Sequence, residues 1–196
     1  MRPVLIAIAF FVSVSASAHA QCACGVAKVK NGWCADCKVG YFDGVKMASK
    51  RLFGALGGKT ADAAAIKCDE CKEALEKNGY CDHCHVGYVQ KKSYESKVAY
   101  ALAKGESVDS VKITCDACKK NATEHGWCDG CRAGMVGPVM FKDKAAYDAA
   151  VKARAILTEA AKNKCDNCAV AMVTDGQCDD CKVTYKDGRK VEPAKP

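Results

Sequence analysis

Sixteen cysteines repeat one arrangement four times along this chain: a close pair, nine residues, then a second close pair. The sets are Cys22, Cys24, Cys34 and Cys37; Cys68, Cys71, Cys81 and Cys84; Cys115, Cys118, Cys128 and Cys131; and Cys165, Cys168, Cys178 and Cys181. None is left over. Two thiolates on one tight turn chelate a single ion, and a second pair across a short connection completes a tetrahedron, so each set has the ligand count of an all-thiolate metal centre. A centre closed by four protein ligands keeps no position open for substrate, which argues against an enzyme. A thioredoxin-type redox site would use one reactive pair in a βαβ setting, whereas eight similar pairs stand here.

The same cysteines admit other chemistry. In an oxidising compartment they can pair as disulfides, which would have to cross between the close pairs, because neighbours in C-x-x-C seldom bridge each other without strain. Cys81-Asp82-His83-Cys84-His85 reads C-x-x-C-H, the attachment motif of c-type haem. However, the residues matching His85 in the other sets are Lys38, Arg132 and Lys182, so the histidine occupies a variable basic position in a repeated unit. Thiolate sites also accept Fe, Cu(I) and Cd. The alternatives are therefore an exported redox or electron-transfer protein, with haem at Cys81, Cys84 and His85 or with all-cysteine iron sites, and a disulfide-stapled structural protein.

Residues 1–20 set the compartment. Arg2 precedes an apolar run from Val4 to Val14, and Ala18-His19-Ala20 is an A-x-A cleavage site, the pattern of a secretory signal peptide. The run is about half the ~20 residues that span a bilayer. The expectation is an extracytoplasmic protein, periplasmic or secreted, with no membrane span after cleavage. The formal charge of +7 falls to +6 once Arg2 leaves with the leader. Four tetrathiolate sites holding divalent ions would add about −8, leaving the loaded chain near −2. Export and this charge both disfavour nucleic acid as a partner; metal ions, and another exported protein, are the partners expected. Lys38, Arg132 and Lys182 are placed to balance the neighbouring thiolates.

The elements that must hold the cysteines repeat with them. The first three sets recur every 47 residues and the fourth follows at 50. Gly32, Gly79, Gly126 and Gly176 align, as do Trp33, Tyr80 and Trp127 before each third cysteine, Gly40, Gly87 and Gly134 after each fourth, and Phe53, Tyr100 and Tyr147 further on. A period of this size marks an array of supersecondary units. Asn31-Gly32, Asn78-Gly79, His125-Gly126 and Asp175-Gly176 read as turns. The stretches before them conflict: Val26–Lys30 and Val170–Thr174 look like strand, Lys72–Lys77 like helix, so a hairpin and a single helical turn both stay open. The connectors read as helix. Tyr94, Val98 and Leu102 share one face, Gly105 ends that helix, and Ser107 with Asp109 starts a shorter one over Val108–Ile113. The first connector breaks likewise at Gly57-Gly58, with Thr60 as a cap. Ala145–Lys162 has no breaker and reads as one longer helix. The polar tail from Tyr185 to Pro196 reads as frayed. With aromatics at only 7%, units this small need metal, disulfide or neighbours to be stable.

The knuckle pairs resemble the short zinc-ribbon modules, in particular double zinc ribbons. The resemblance covers the four cysteine sets and leaves out the connectors. It implies one structural four-cysteine zinc site per set, about four ions in all. Two departures stand out: ribbon knuckles commonly carry glycine after the second cysteine of a pair, where this chain has Lys38, His85, Arg132 and Lys182, and Cys22-Ala23-Cys24 is one residue short. The fold expected is a small metal-stabilised α+β protein of four tandem modules joined by short helices. The signal peptide occupies 1–20 and the modules 21–67, 68–114, 115–164 and 165–196, the last with the polar tail. The function expected is non-enzymatic metal binding, the array serving protein interaction or metal buffering.

Overall fold

In the computed structural model, which describes residues 24–29 and 31–191, each cysteine set opens on a helix. These are α1 (Cys24–Val29), α3 (Asp69–Lys77), α5 (Asp116–Glu124) and α7 (Asp166–Thr174). Cys68, Cys115 and Cys165 are extended N-cap residues, which puts Cys71, Cys118 and Cys168 one turn in, on the same helix end. Asn78, His125 and Asp175 close the helices in the left-handed conformation, and Asn31 has the same φ of 52°. The glycine that follows donates back to the carbonyl five residues earlier, Gly79 to Ala74 at 2.7 Å and Gly176 to Ala171 at 3.0 Å, which is a Schellman end. The Asn-Gly and Asp-Gly pairs are thus helix stops rather than chain reversals. The strand-like stretches at 26–29 and 170–174 also lie within this helical element, because the helix-ending turn and, in α7, the Cys165 cap outweigh the weak β preference of a few branched residues.

A three-stranded antiparallel sheet follows each helix. The sheets are β1 (Trp33–Cys34), β2 (Val39–Phe42) and β3 (Val45–Met47); β5 (Tyr80–Cys81), β6 (Val86–Val89) and β7 (Lys92–Tyr94); β9 (Trp127–Cys128), β10 (Ala133–Val136) and β11 (Val139–Phe141); and β12 (Gln177–Cys178), β13 (Val183–Lys186) and β14 (Arg189–Val191). The third cysteine of each set ends the first strand and the fourth lies in the tight connection to the second. Asp43-Gly44 and Asp187-Gly188, all at positive φ, form the two-residue turns that join the next two. Tyr94 therefore ends a strand rather than starting a helix, and Tyr185–Val191 is paired rather than frayed; 192–196 lie outside the described residues, as do 1–20 and Cys22.

The connector helices are α2 (Lys50–Leu56), α4 (Lys97–Ala103) and α6 (Lys144–Lys162), capped by Ser49, Ser96 and Asp143. The third is a single helix of 19 residues, as its lack of glycine predicts. After α2 and α4 the chain instead extends into β4 (Lys59–Thr60) and β8 (Glu106–Ser107), each adding a strand to the following sheet, and then makes one 3-10 turn at Ala63–Ala65 and Ser110–Lys112. Thr60 is thus in a strand, and Asp62 and Asp109 receive the turn's N–H groups.

The connectors pack on one another. α4 lies along α6, and α2 and α6 both lie on α7. Leu52, Leu56, Val98, Ala99, Leu102, Leu157, Ala169 and Val173 are buried in one core that also takes in Met47, Phe141 and Cys178. The sequence says why α7 alone among the cysteine helices is central: it reads Asp-Asn-Cys-Ala-Val-Ala-Met-Val-Thr, whereas α3 carries Lys-Glu-Ala-Leu-Glu-Lys after its cysteine. Ser96 ties the centre together. Fully buried, it accepts from Ala99 N at 3.1 Å as the cap of α4 and donates to the Val173 carbonyl at the end of α7 at 2.7 Å. The second module keeps a separate small core of Cys71, Ala74, Cys81 and Tyr88.

Candidate metal centres

The helix N-terminus and the hairpin bring each cysteine set together. The four Sγ atoms lie within 4.8 Å of one another in the sets of Cys68, Cys71, Cys81 and Cys84, of Cys115, Cys118, Cys128 and Cys131, and of Cys165, Cys168, Cys178 and Cys181. In the first set Cys24, Cys34 and Cys37 gather in the same way, and Cys22 lies outside the described residues. Four sulfurs at ~2.3 Å from a central ion stand about 3.8 Å apart along the edges of the tetrahedron. The sulfurs of Cys68 and Cys81 are 3.9 Å apart, those of Cys115 and Cys128 4.0 Å, and those of Cys165 are 3.8 Å from both Cys178 and Cys181. That spacing suits four ligands around one ion. It is far from the ~2.05 Å of a disulfide.

Backbone donors reinforce the sites. Cys84 N donates to Cys81 Sγ at 3.3 Å, and Cys181 N to Cys178 Sγ at 3.4 Å; on the helix side Cys168 N donates to Cys165 Sγ at 3.4 Å. The first sulfur thus sits where a helix N-terminus stabilises negative charge. The Cys118 N–H, with its sulfur neighbours, brings the Cys115 thiol down to about 7, and the Cys71 N–H lowers Cys68 likewise. In the fourth set the Cys181 N–H lowers Cys178 instead. Other thiols are pushed the other way: burial raises Cys81 to about 11 and Cys118 further still, and shared protons raise Cys84 and Cys181 to about 12. In the second, third and fourth sets one thiol is thus shifted toward the thiolate, and a cation would replace the protons held by the raised ones.

Burial orders the ligands in the same way in the three complete sets. The first cysteine is half-buried, the second and third are buried, and the fourth, Cys84, Cys131 or Cys181, is exposed, as is Cys37. An ion would exchange through that exposed corner. Lys38, His85, Arg132 and Lys182 follow it in sequence at φ of 50–55°, so the backbone keeps the left-handed form that glycine would supply while the residue itself is basic. His85 is exposed, and Cys81 and Cys84 belong to the second set, so thioether bonds from these two to haem would dismantle that set.

Several contributors are not evident from cysteine spacing. Tyr88 and Tyr185, one residue beyond the aligned sheet position, hydrogen-bond through their hydroxyls with Cys71 and Cys168; burial, with these sulfurs, raises both to about 12. Met135 holds this place in the third module. Glu70 Oε2 accepts from Cys81 Sγ at 3.4 Å in the second set. The residue closing each cysteine helix latches the hairpin turn: Asn31 Oδ1 accepts from Asp43 N at 2.8 Å, Asn78 Oδ1 from Gln90 N at 2.7 Å, His125 Nδ1 from Gly137 N at 2.9 Å and Asp175 Oδ1 from Asp187 N at 2.7 Å. The signal was present in the sequence, since Asn, His and Asp combine tolerance of positive φ with a short acceptor.

His125 makes that latch sensitive to acid. Its Nδ1 can accept only while unprotonated, and burial, helped by the nearby Arg154, lowers its pKa below 6.5. The latch therefore contributes fully above the unfolded value of about 6.5 and is lost as pH falls through the lower folded one. His125→Asn, which restores the residue of the first two modules, is expected to flatten the fall in stability below pH 6.5. Urea unfolding of both proteins from pH 7.5 to 5 tests this, and parallel curves would disprove it.

Compared with known proteins, the chain matches no family model, no curated protein and no solved structure. The site itself defines the class: a cysteine-rich α+β protein with four cysteine clusters that could bind metal. Among the described residues, no helix is long and apolar enough to cross a membrane.

Proposed function

We propose that this chain is a non-enzymatic, exported metal-binding protein in which four cysteine clusters each hold a structural zinc ion. The observation that carries the reading is the gathering of four sulfurs at tetrahedral spacing in three separate clusters, with backbone N–H groups aimed at the sulfurs. Zinc has no redox chemistry and accepts four thiolates in a closed tetrahedron, so the ions would serve the fold. The exposed fourth cysteines give each ion a path to exchange, which fits a buffering role as well as a rigid scaffold for a partner.

Native mass spectrometry of protein recovered from the periplasm of an expression host, before and after a strong chelator, tests the proposal. Four zinc masses on a chain with reduced thiols are expected. A metal-free chain lighter by eight pairs of hydrogens would replace it with a disulfide scaffold. Cadmium or Cu(I) masses would keep the sites and change the ion, and a Soret band or iron absorbance would move the protein to electron transfer.

A further inference from the structure

Two of the four sheets are completed by a strand from elsewhere in the chain. β4 pairs with β7, Lys59 opposite Ser93 and Thr60 opposite Lys92, and Ala61 N donates to the Lys91 carbonyl at 2.9 Å. β8 pairs in the same way with β11, Glu106 opposite Met140 and Ser107 opposite Val139, and Val108 N donates to the Pro138 carbonyl at 2.9 Å. Each added strand carries a charge that meets its opposite at the end of the receiving strand, Lys59 with Glu95 at 2.6 Å and Glu106 with Lys142 at 3.2 Å. The fourth sheet receives nothing among the described residues, because the connector before it is the unbroken helix α6. Its outer strand β14 is exposed at all three positions, whereas Val45 and Met47 of β3, the corresponding edge of the first sheet, are buried.

In this register Lys190 takes the place of Ser93 and Met140, and Gly188 that of Lys91 and Pro138. Antiparallel ladders alternate, so the N–H and C=O of Lys190 and the C=O of Gly188 face outward. Alongside runs an open groove of about 860 Å³ between α6 and the hairpin, with Ala155, Ile156 and Val191 as its apolar lining. Its charges are Lys152, Lys186, Arg189 and Lys190 against Asp187 and Glu159, an excess of positive charge. A second copy is a poor occupant, since β14 against β14 would set Arg189 and Lys190 against themselves.

We propose that β14 receives an extended acidic segment of a partner protein by antiparallel strand addition, as β11 receives β8 within this chain. The partner's backbone bonds to Lys190 and Gly188, its carboxylates face the basic edge, and a small apolar residue beyond the paired ones enters the groove, as Val108 follows Ser107. The inference goes beyond the metal reading and rests on strand register, the exposed edge and the charge of the groove, so the identity of the ion does not decide it.

The probe is a synthetic peptide copying residues 104–110, Lys-Gly-Glu-Ser-Val-Asp-Ser, added to the 15N-labelled protein. In the free protein the Lys190 amide is expected to exchange with solvent quickly while those of Ser93 and Met140 are protected. Millimolar peptide is expected to shift the amide signals of Gly188–Val191 and Ile156. Replacing its Glu and Asp by Lys is expected to weaken binding about fivefold. Lys190→Pro, which removes an outward N–H from an edge strand, is expected to abolish it. Arg189→Glu with Lys190→Glu, at exposed positions, is expected to reverse the preference between the two peptides. Slow exchange at Lys190 in the free protein would mean that the edge is already covered and would overturn the proposal. So would an absence of shifts at Gly188–Val191, or equal affinity for both peptides.

Discussion

Cys178→Ser will unfold the shared core, whereas Cys81→Ser will cost the protein only its second module. Both residues are the third cysteine of their set, both are buried, and both receive the N–H of the fourth cysteine. They differ in what surrounds them. Cys178 and Cys168 belong to the core formed by α2, α4, α6 and α7, while Cys71 and Cys81 belong to the small separate cluster with Ala74 and Tyr88. A structural zinc centre in a small module has an apparent binding free energy of about 10–16 kcal/mol at neutral pH, as much as the ~5–15 kcal/mol that holds a whole domain. If the sets hold zinc as proposed, losing it under α7 would leave Leu52, Leu56, Leu102 and Leu157 without the helix they pack around. Losing it under α3 leaves them untouched. Hydrogen exchange read by mass spectrometry separates the cases: Cys178→Ser should expose α2, α4 and α6 together, and Cys81→Ser should expose residues near 66–90 only, with the other sets keeping their metal. Global exchange in both variants would show that the second module is part of the common core.

The contrast between α3 and α7 also shows which parts of the fold could be read from sequence. Cysteine spacing identified the sets because ligand geometry is local, and the unbroken run from Ala145 to Lys162 identified α6 because helix propensity sums over many residues. Asn31-Gly32 and its equivalents were ambiguous in a specific way. An Asn-Gly pair supplies positive φ to a type I′ turn and to a helix C-terminus alike, and only the length of regular structure on either side tells them apart. The hairpin turns lay a dozen residues on, at Asp43-Gly44 and Asp187-Gly188, and reading these as the chain reversals would have placed Tyr185–Val191 in a hairpin. The common core was harder to see. Each connector offers few large apolar residues, and four-fold repetition suggests units that stand side by side. The apolar run Ala169–Val173 after Cys168 was the sign that one cysteine helix is central, since no other set carries such a run on both sides of its helix.

The aligned glycines and aromatics, by contrast, were visible as a register without a reason, and the structure supplies one. Gly40, Gly87 and Gly134 sit directly opposite Trp33, Tyr80 and Trp127 on the neighbouring strand. The missing side chain admits a ring from the connector helix: Phe53, Tyr100 and Tyr147 lie with centroids 5.7, 5.4 and 5.4 Å from the three strand aromatics. Each hairpin is thereby clamped to the helix that leaves it. The fourth module has Gln177 opposite Thr184, and among the described residues no helix follows it, so there is no ring to admit.

Gly134→Ala is therefore expected to cost about 3–5 kcal/mol, beyond the usual price of a methyl group, because several terms add. The new Cβ would lie 2.1 Å from Tyr147 Cδ2 and 2.7 Å from Trp127 Cε3, distances that only displacement of the rings can relieve. Displacing Tyr147 breaks the aromatic pair and the 2.8 Å bond that its hydroxyl donates to the His125 carbonyl, which holds the end of α5. Thr184→Gly, at the same register without a ring, should change stability by less than about 1 kcal/mol. A double-mutant cycle with Tyr147→Ala isolates the mechanism. If the cost is a ring collision, Gly134→Ala becomes cheaper by at least ~2 kcal/mol once the ring is gone. If the cost is the same in both backgrounds, the glycine is needed for the strand backbone, and the clamp is not what selected it.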